Sequence, residues 1–322
     1  MAKTDTTFAL IEAGGTKVIV AVANASREII ARTRIATTTP EQTIGAATEW
    51  LLKQAQSYTA VGIASFGPLD LNPESANWGH ITQTTKPHWS NADVAGPFAH
   101  SLRCPVAINT DVNGAALAEW KWGAGKGTNS SIYLTIGTGV GGGAVLNGQL
   151  VDGLSHPEMG HMRVPRHPDD TGFDGICPFH GDCLEGLASG PAIQSRWGAS
   201  LTELPSEHKG RHMIAWYLAQ AASTLQAIFE PAKIILGGGV METAGLLDRV
   251  QNAAAKASGG YFSGDVNQVI VAPSLGANAG ILGALALAEP LVSDAKNIDV
   301  NWDEVVPSVS EALNVHQMLK SI

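Results

Sequence analysis

The chain has 322 residues, 44% of them hydrophobic and 15% charged, with a formal net charge of −9. This is ordinary globular material for two domains or one large one, which excludes overall disorder, and the acidic balance argues against a broad nucleic-acid face. No charged start followed by an apolar run marks a signal peptide, and no apolar run reaches the roughly 18 residues of a membrane span. Three cysteines do not make a disulfide framework and point to a reducing cytoplasm.

The first elements come in quick succession. Phe8–Ile11 and Val18–Val22 are apolar runs joined by Glu12-Ala-Gly-Gly-Thr16-Lys17, the pattern of a hairpin with a glycine turn. A helix is predicted over Pro40–Gln56, with Ile44, Ala47, Leu51 and Leu52 at helical spacing. Ala60–Ser65 is a buried strand ending at Phe66-Gly67-Pro68. Residues 70–90 are loop-rich. There Trp78, His80, Lys86 and Trp89 can line a substrate, make a subunit contact or simply pack. A short strand, Pro105–Asn109, runs into Asp111-Val-Asn113 and a helix over Gly114–Trp122.

The opening pattern then returns about 125 residues later. Ser131–Ile136 is a strand, Gly137–Gly143 a glycine turn, and Ala144–Leu146 a second strand closed by Asn147-Gly148. Two related lobes are expected, although the residue identity is too slight for a repeat. A dense polar insertion covers 155–191. A long helix (Met213–Phe229) and a strand (Lys233–Leu236) ending in Gly237-Gly-Gly239 follow. Next come a strand at Val269–Ala272 and a helix at Ala279–Leu287. From Glu289 the chain reads as an acidic tail, with one capped helix near Ser308–Leu319.

Several glycine motifs compete. Gly123-Ala-Gly-Lys126-Gly-Thr128 fails as a P-loop, because Trp120 and Gly127 stand where glycine and Ser or Thr are needed. Gly137, Gly139 and Gly142 have dinucleotide-site spacing, but a strand follows where that site needs a helix. The remaining reading is two hairpins whose turn amides face phosphate oxygens. Two such turns, with the glycine runs at 237–239 and 276–280, favour nucleotide binding over plain turns.

Cys177-Pro-Phe-His180-Gly-Asp-Cys183 places three soft or borderline ligands at zinc-site spacing. The fourth ligand is open among His156, His161 and His167, and a closed set argues for a structural ion. Asp169, Asp170 and Asp174 read as solvated loop charges. Asp111, after a strand and before a helix, is a helix cap or a cleft-facing carboxylate.

The ordered set Glu12–Lys17, Gly67-Pro68, Asp111–Leu117, Thr135–Gly141, Glu158-Met-Gly-His161, Glu185–Gly190 and Leu236–Gly239 resembles the ROK family of sugar kinases. Within that family it is most similar to the fructokinase branch. The resemblance spans about residues 8–288. It implies an α/β, actin-like ATPase (ribonuclease H-like) fold of two lobes with an interlobe cleft and a zinc-binding insertion. The lobes would be 1–117 and 118–290, the latter with its zinc loop at 156–191. Residues 291–322 would be a tail packing back on the first lobe.

The implied activity is transfer of a phosphoryl group from ATP, carried with Mg²⁺, to a hexose, most simply to the 6-hydroxyl of D-fructose, by a cytoplasmic homodimer that binds neither nucleic acid nor membrane. Asp111 matches the family's general base, and Glu158, His161 and Glu185 its sugar-binding set. Gly14, Gly15, Thr16, Lys17, Thr138, Gly139, Pro191, Gly237, Gly238, Gly239, Val240 and Met241 match its nucleotide contacts. His161 is selected as the fourth zinc ligand beside Cys177, His180 and Cys183.

Two positions depart from the family pattern. Thr110 stands where many relatives have Asn, and Glu12 where many have the shorter Asp. A repressor of the same family would need a helix-turn-helix before the first turn, and that turn opens at residue 12. A sensor without catalysis is disfavoured by Asp111 and the two turns. Kinases of mannose, glucose or an amino sugar stay open, because one-hydroxyl discrimination is not legible in sequence.

Overall fold

The computed structural model describes residues 6–295. The expected helix near Ser308–Leu319 and most of the tail lie outside them. The described residues form two compact units. One holds the chain up to Ala118, Asp152–His156 and the chain from Ala277 onward; the other holds Glu119–Val151 and Pro157–Gly276.

The first unit is built on β1 (Thr7–Ala13), β2 (Lys17–Asn24), β3 (Ile29–Ala36), β4 (Ala60–Ser65) and β5 (Val106–Thr110), ordered β3-β2-β1-β4-β5. β1–β2–β3 are antiparallel, and β1, β4 and β5 are parallel. All six residues of β4 are buried, as a strand covered on both faces requires. β3 escaped the sequence reading: as Ile-Ile-Ala-Arg-Thr-Arg-Ile-Ala it alternates between half-buried and exposed, the weak signal of an edge strand. Helices α1 (Pro40–Gln54), α2 (Gly96–Leu102) and α3 (Asp111–Trp122) follow their strands. Thr39 caps α1, and Ile44, Ala47 and Leu51 face the core while Leu52 is exposed.

The second unit repeats this plan with β6 (Ser130–Ile136), β7 (Val140–Leu146), β8 (Gln149–Leu150), β9 (Lys233–Gly237) and β10 (Ile270–Val271). Its order is β10-β9-β6-β7-β8, again an antiparallel trio joined to parallel strands. Both units therefore have the ribonuclease H-like topology of actin-like ATPases. The second glycine turn is shorter than predicted. Gly141, Gly142 and Gly143 belong to β7, where they pair with Thr135, Leu134 and Tyr133.

Helices α4 (Leu184–Ala188), α5 (Gly190–Trp197), α6 (Lys209–Phe229), α7 (Leu246–Ser258) and α8 (Val266–Val269) complete this unit. α6 buries Met213, Ile214, Tyr217, Leu218, Ala221 and Leu225. α7 was not anticipated from sequence.

The last helix, α9 (Ala279–Ala295), corrects the expected boundary at 290. It belongs to the first unit, packed on β4, β1 and β5. The reason lies in two glycines. A Cβ on Gly62 of β4 would lie 1.8 Å from the Ala284 carbonyl oxygen, and one on Gly283 would lie 2.4 Å from the Gly114 carbonyl carbon. Bare backbone lets α9 sit flush against both β4 and α3. The helix also runs past the predicted end at Leu287, because Leu291 continues its buried face and Glu289 pairs with Arg27 at 2.8 Å.

Candidate functional site

The first glycine turn, Gly14-Gly15-Thr16, is exposed at its tip but fixed at its base. The Gly14 N–H donates to the Lys17 carbonyl at 2.9 Å, the Thr37 hydroxyl to the Gly14 carbonyl at 2.7 Å, and the Thr37 N–H to the Thr16 carbonyl at 3.1 Å. The Lys86 ammonium donates to the Gly15 carbonyl. Beside the turn, Glu12 packs its carboxyl against Gly280, where a Cβ would lie 2.4 Å from Oε1. Its Oε2 is buried without a hydrogen-bond partner. Burial pushes this carboxyl above its ordinary value, while Arg32 and Lys17 pull the other way.

Asp111 opens α3. Its Oδ1 accepts from the Val112 N–H at 2.9 Å. The cap of this helix is Thr110, whose hydroxyl accepts the Asn113 N–H at 3.2 Å, so the N-cap alternative for Asp111 does not hold. The departure at Thr110 thus has a structural role. Asn109 is committed locally: its Oδ1 accepts from the Thr110 N–H and from Asn113 Nδ2, both at 2.8 Å.

In the second unit the second turn and the two glutamate segments meet at one residue. The Val140 N–H donates to Glu185 Oε2 at 3.0 Å. A Cβ on Gly160, in the Glu158–His161 segment, would lie 1.7 Å from the Val140 carbonyl oxygen. A Cβ on Gly139 would lie 2.7 Å from Glu185 Oε2. Glycine at 160 is therefore needed for its segment to lie against Val140, and a side chain at 139 would displace the Glu185 carboxylate. Thr138 is exposed at the tip, and the Gly190 N–H at the start of α5 closes on the Gly137 carbonyl at 2.7 Å, with Pro191 exposed beside it.

The run after β9 divides. Glycine at 237 and 238 is required by packing, since a Cβ would lie 2.6 Å from the Tyr133 hydroxyl and 2.4 Å from the Ile136 carbonyl oxygen respectively. Gly239 is the exposed member. The Val240 side chain is buried in the core, and Met241 packs against it.

His161, Cys177, His180 and Cys183 bring one ligand atom each within 4.8 Å of one another. Sulfur–nitrogen separations are 3.5 Å (Cys183–His161), 3.7 Å (Cys177–His161) and 3.6 Å (Cys177–His180). A tetrahedral zinc with Zn–S of ~2.3 Å and Zn–N of ~2.0–2.1 Å sets such edges at about 3.6 Å. The side chains fit that ion. Burial pushes the Cys183 thiol up, so a cation among these ligands would relieve an otherwise disfavoured thiolate. The rival fourth ligands are employed elsewhere: His156 Nε2 accepts the Leu69 N–H at 3.1 Å, and His167 Nδ1 accepts the Asp169 N–H at 3.1 Å.

Three contacts were not legible in the sequence. Asp170, expected to be a solvated charge, is 4% exposed and paired with Arg196 at 3.1 Å. It also accepts the Tyr217 hydroxyl at 2.5 Å. This knot ties the insertion to α5 and α6, and burial with Asp170 as acceptor raises the Tyr217 pKa to about 12. Glu119 is fully buried and gathers the Ala124 and Leu275 N–H groups, at 2.7 and 2.9 Å, with the Ser274 N–H and hydroxyl at 3.2 and 3.3 Å. Trp89, 1% exposed, is core packing: it meets Phe66 edge-on at 5.1 Å and donates its Nε1–H to the Thr38 carbonyl at 2.7 Å.

Each unit carries a glycine turn on a sheet of ribonuclease H-like topology, and the likeness to known proteins makes the chain a sugar phosphotransferase. Residues 8–290 match the model of the ROK family, and the chain belongs to that family. It is 51% identical over 288 residues to a fructokinase from Zymomonas mobilis, covering 87% of this chain and 96% of that one. A fructokinase from Lactococcus lactis is 43% identical over 76% of this chain and 82% of its own. The crystal structure of a ROK hexokinase from Thermus thermophilus aligns with a TM-score of 0.75 at 26% identity, covering 90% of this chain and all of that one.

Proposed function

We propose that the protein is an ATP-dependent fructokinase that phosphorylates D-fructose at the 6-hydroxyl. The observation that carries this is the 51% identity to the Zymomonas mobilis fructokinase across 96% of its length. In this reading Asp111 accepts the proton of the sugar hydroxyl as the new bond to phosphorus forms, an effect worth roughly 10²–10⁴ in rate. Glu158 and Glu185 hold neighbouring sugar hydroxyls, with His161 at the edge of that set. One Glu185 oxygen is engaged by Val140, which fixes the direction of the other.

The amides of Gly15 and Gly139, the hydroxyls of Thr16 and Thr138 and the Lys17 ammonium receive the phosphates, and Gly14, whose own N–H is taken by the Lys17 carbonyl, shapes the turn that presents them. Pro191 and the 237–241 run take the adenosine. Magnesium carried with ATP supplies charge neutralisation, and the unpartnered Oε2 of Glu12 is the atom suited to reach it, directly or through water. His161, Cys177, His180 and Cys183 hold a structural zinc whose role is to fix the segments bearing Glu158 and Glu185. No described helix is long and apolar enough to cross a membrane; a cytoplasmic homodimer completes the reading.

The test is ADP formation with a panel of fructose, mannose, glucose and amino sugars. Fructose should give the highest kcat/KM. Preference for another hexose would move the assignment within the family, and no stimulation by any hexose would overturn it.

A further inference from the structure

Lys86 has no part in the roles described so far. It lies in a loop that is stitched to itself. The Lys86 N–H donates to the Thr84 hydroxyl at 3.3 Å, the Trp89 N–H to the Lys86 carbonyl at 3.2 Å, and the Ser90 hydroxyl to the Thr84 carbonyl at 3.1 Å. Buried Trp89 anchors that loop through Phe66 and the Thr38 carbonyl. The outcome is that a half-buried lysine, 71 residues from the first glycine turn in sequence, sets its ammonium on the Gly15 carbonyl at the turn's tip.

A phosphate-facing turn has an electrostatic flaw. Its N–H groups attract an oxyanion, but its carbonyls repel one. Gly15 is the open position: a Cβ there would meet nothing within 4 Å. The Glu12 carboxyl adds potential negative charge close by, on a chain of net charge −9. An ammonium on the Gly15 carbonyl cancels its repulsion and has two further N–H donors to offer. An ammonium is also the compact point charge suited to phosphate.

We infer that Lys86 is a catalytic residue that binds the transferring phosphoryl group at the first glycine turn; this rests on the sugar-kinase reading above. In the step it serves, the bond from phosphorus to the ADP leaving oxygen breaks. The bond to the sugar oxygen forms, and the sugar proton passes to Asp111. Lys86 takes no part in the proton transfer and holds the oxygens of the moving group, where charge is greatest during transfer.

The experiment compares the wild-type protein with Lys86→Met, Lys86→Arg and Lys86→Ala in steady state with ATP and the best hexose. Expected are a kcat lowered roughly 100-fold in Lys86→Met, a sugar KM within about threefold of wild type, and at least about a tenth of wild-type kcat in Lys86→Arg. Added propylammonium should raise the kcat of Lys86→Ala, a response that a lysine merely bracing the loop would not give. A Lys86→Met kcat within about threefold of wild type overturns the inference. So does a raised sugar KM as the main effect, which makes Lys86 a sugar ligand. Should Lys86→Met not fold, Lys86→Arg with wild-type kcat supports the role of the charge, and Lys86→Ala without rescue counts against it. If the wild-type protein itself shows no hexose-dependent ADP formation, the kinase reading falls first, and the role of Lys86 with it.

Discussion

Glu185 and Val140 are joined by one hydrogen bond, from the Val140 N–H to Glu185 Oε2 at 3.0 Å. Val140 is the first residue of β7, directly after the second glycine turn. Glu185 sits on α4, two residues after the metal-cluster cysteine Cys183. The bond couples a proposed sugar contact to a proposed phosphate turn within one unit. It also explains Gly139 as a space for a carboxylate rather than as turn chemistry alone.

That coupling makes Gly139→Ala informative. The added methyl would lie 2.7 Å from Glu185 Oε2 and must push the carboxylate off Val140. The sugar KM should rise about tenfold or more, with a smaller change in ATP KM. Unchanged sugar KM would separate Glu185 from sugar binding.

Asp111→Asn keeps the shape of the side chain and removes its basicity. Turnover should drop roughly 10²–10⁴-fold with ATP binding preserved, measured by steady-state kinetics and nucleotide titration. Near-normal turnover would remove Asp111 as the base.

Metal removal should act through the sugar side. Metal analysis should find about one zinc per chain, lost in Cys177→Ser/Cys183→Ser. Chelated protein should show weaker sugar binding and lower turnover, restored by added zinc. Neither Asp170 nor Arg196 is one of the four ligands, so the part of the insertion that their ion pair holds should stay protected from proteolysis after chelation. Full activity in metal-free protein would leave the cluster without the proposed role.

Glu119→Ala leaves three part-buried N–H groups without their acceptor, and the helix α3 loses the carboxylate that holds residues 124, 274 and 275 together. A loss of roughly 3 kcal/mol, read by denaturant unfolding, is expected. A loss below about 0.5 kcal/mol, the usual scale for surface changes, would show that the loops hold without it.

Glu12 gives a pH signature with a definite sign. The unfolded chain releases this proton near pH 4.5, and burial makes the folded chain hold it to higher pH. Above 4.5 the unfolded state binds fewer protons, so this group's contribution to stability falls as pH rises, until the folded group has also ionised. Glu12→Gln should therefore raise Tm more at pH 7 than at pH 4.5 while lowering turnover. Equal Tm gains at both pH values would contradict burial as the dominant influence.

What the sequence by itself determined is the local grammar: two strand–glycine turn–strand units, the long helix α6, the Cys-x₂-His-x₂-Cys ligand spacing and Asp111 at a strand–helix junction. These are legible because periodicity, turn chemistry and ligand spacing act over a few residues. Edge strand β3 lacked that legibility, since half its residues face solvent and its arginines dilute the alternation. Tertiary structure alone decided that Asp170 is buried rather than solvated, that α9 belongs to the first unit, and that Lys86 reaches Gly15, and it brought His161, the histidine the resemblance had selected, to Cys177, His180 and Cys183. Each of these is a meeting of residues far apart in sequence. Spacing along a chain carries no information about such meetings until packing, here bare glycine backbone at 62, 139 and 160, permits the approach.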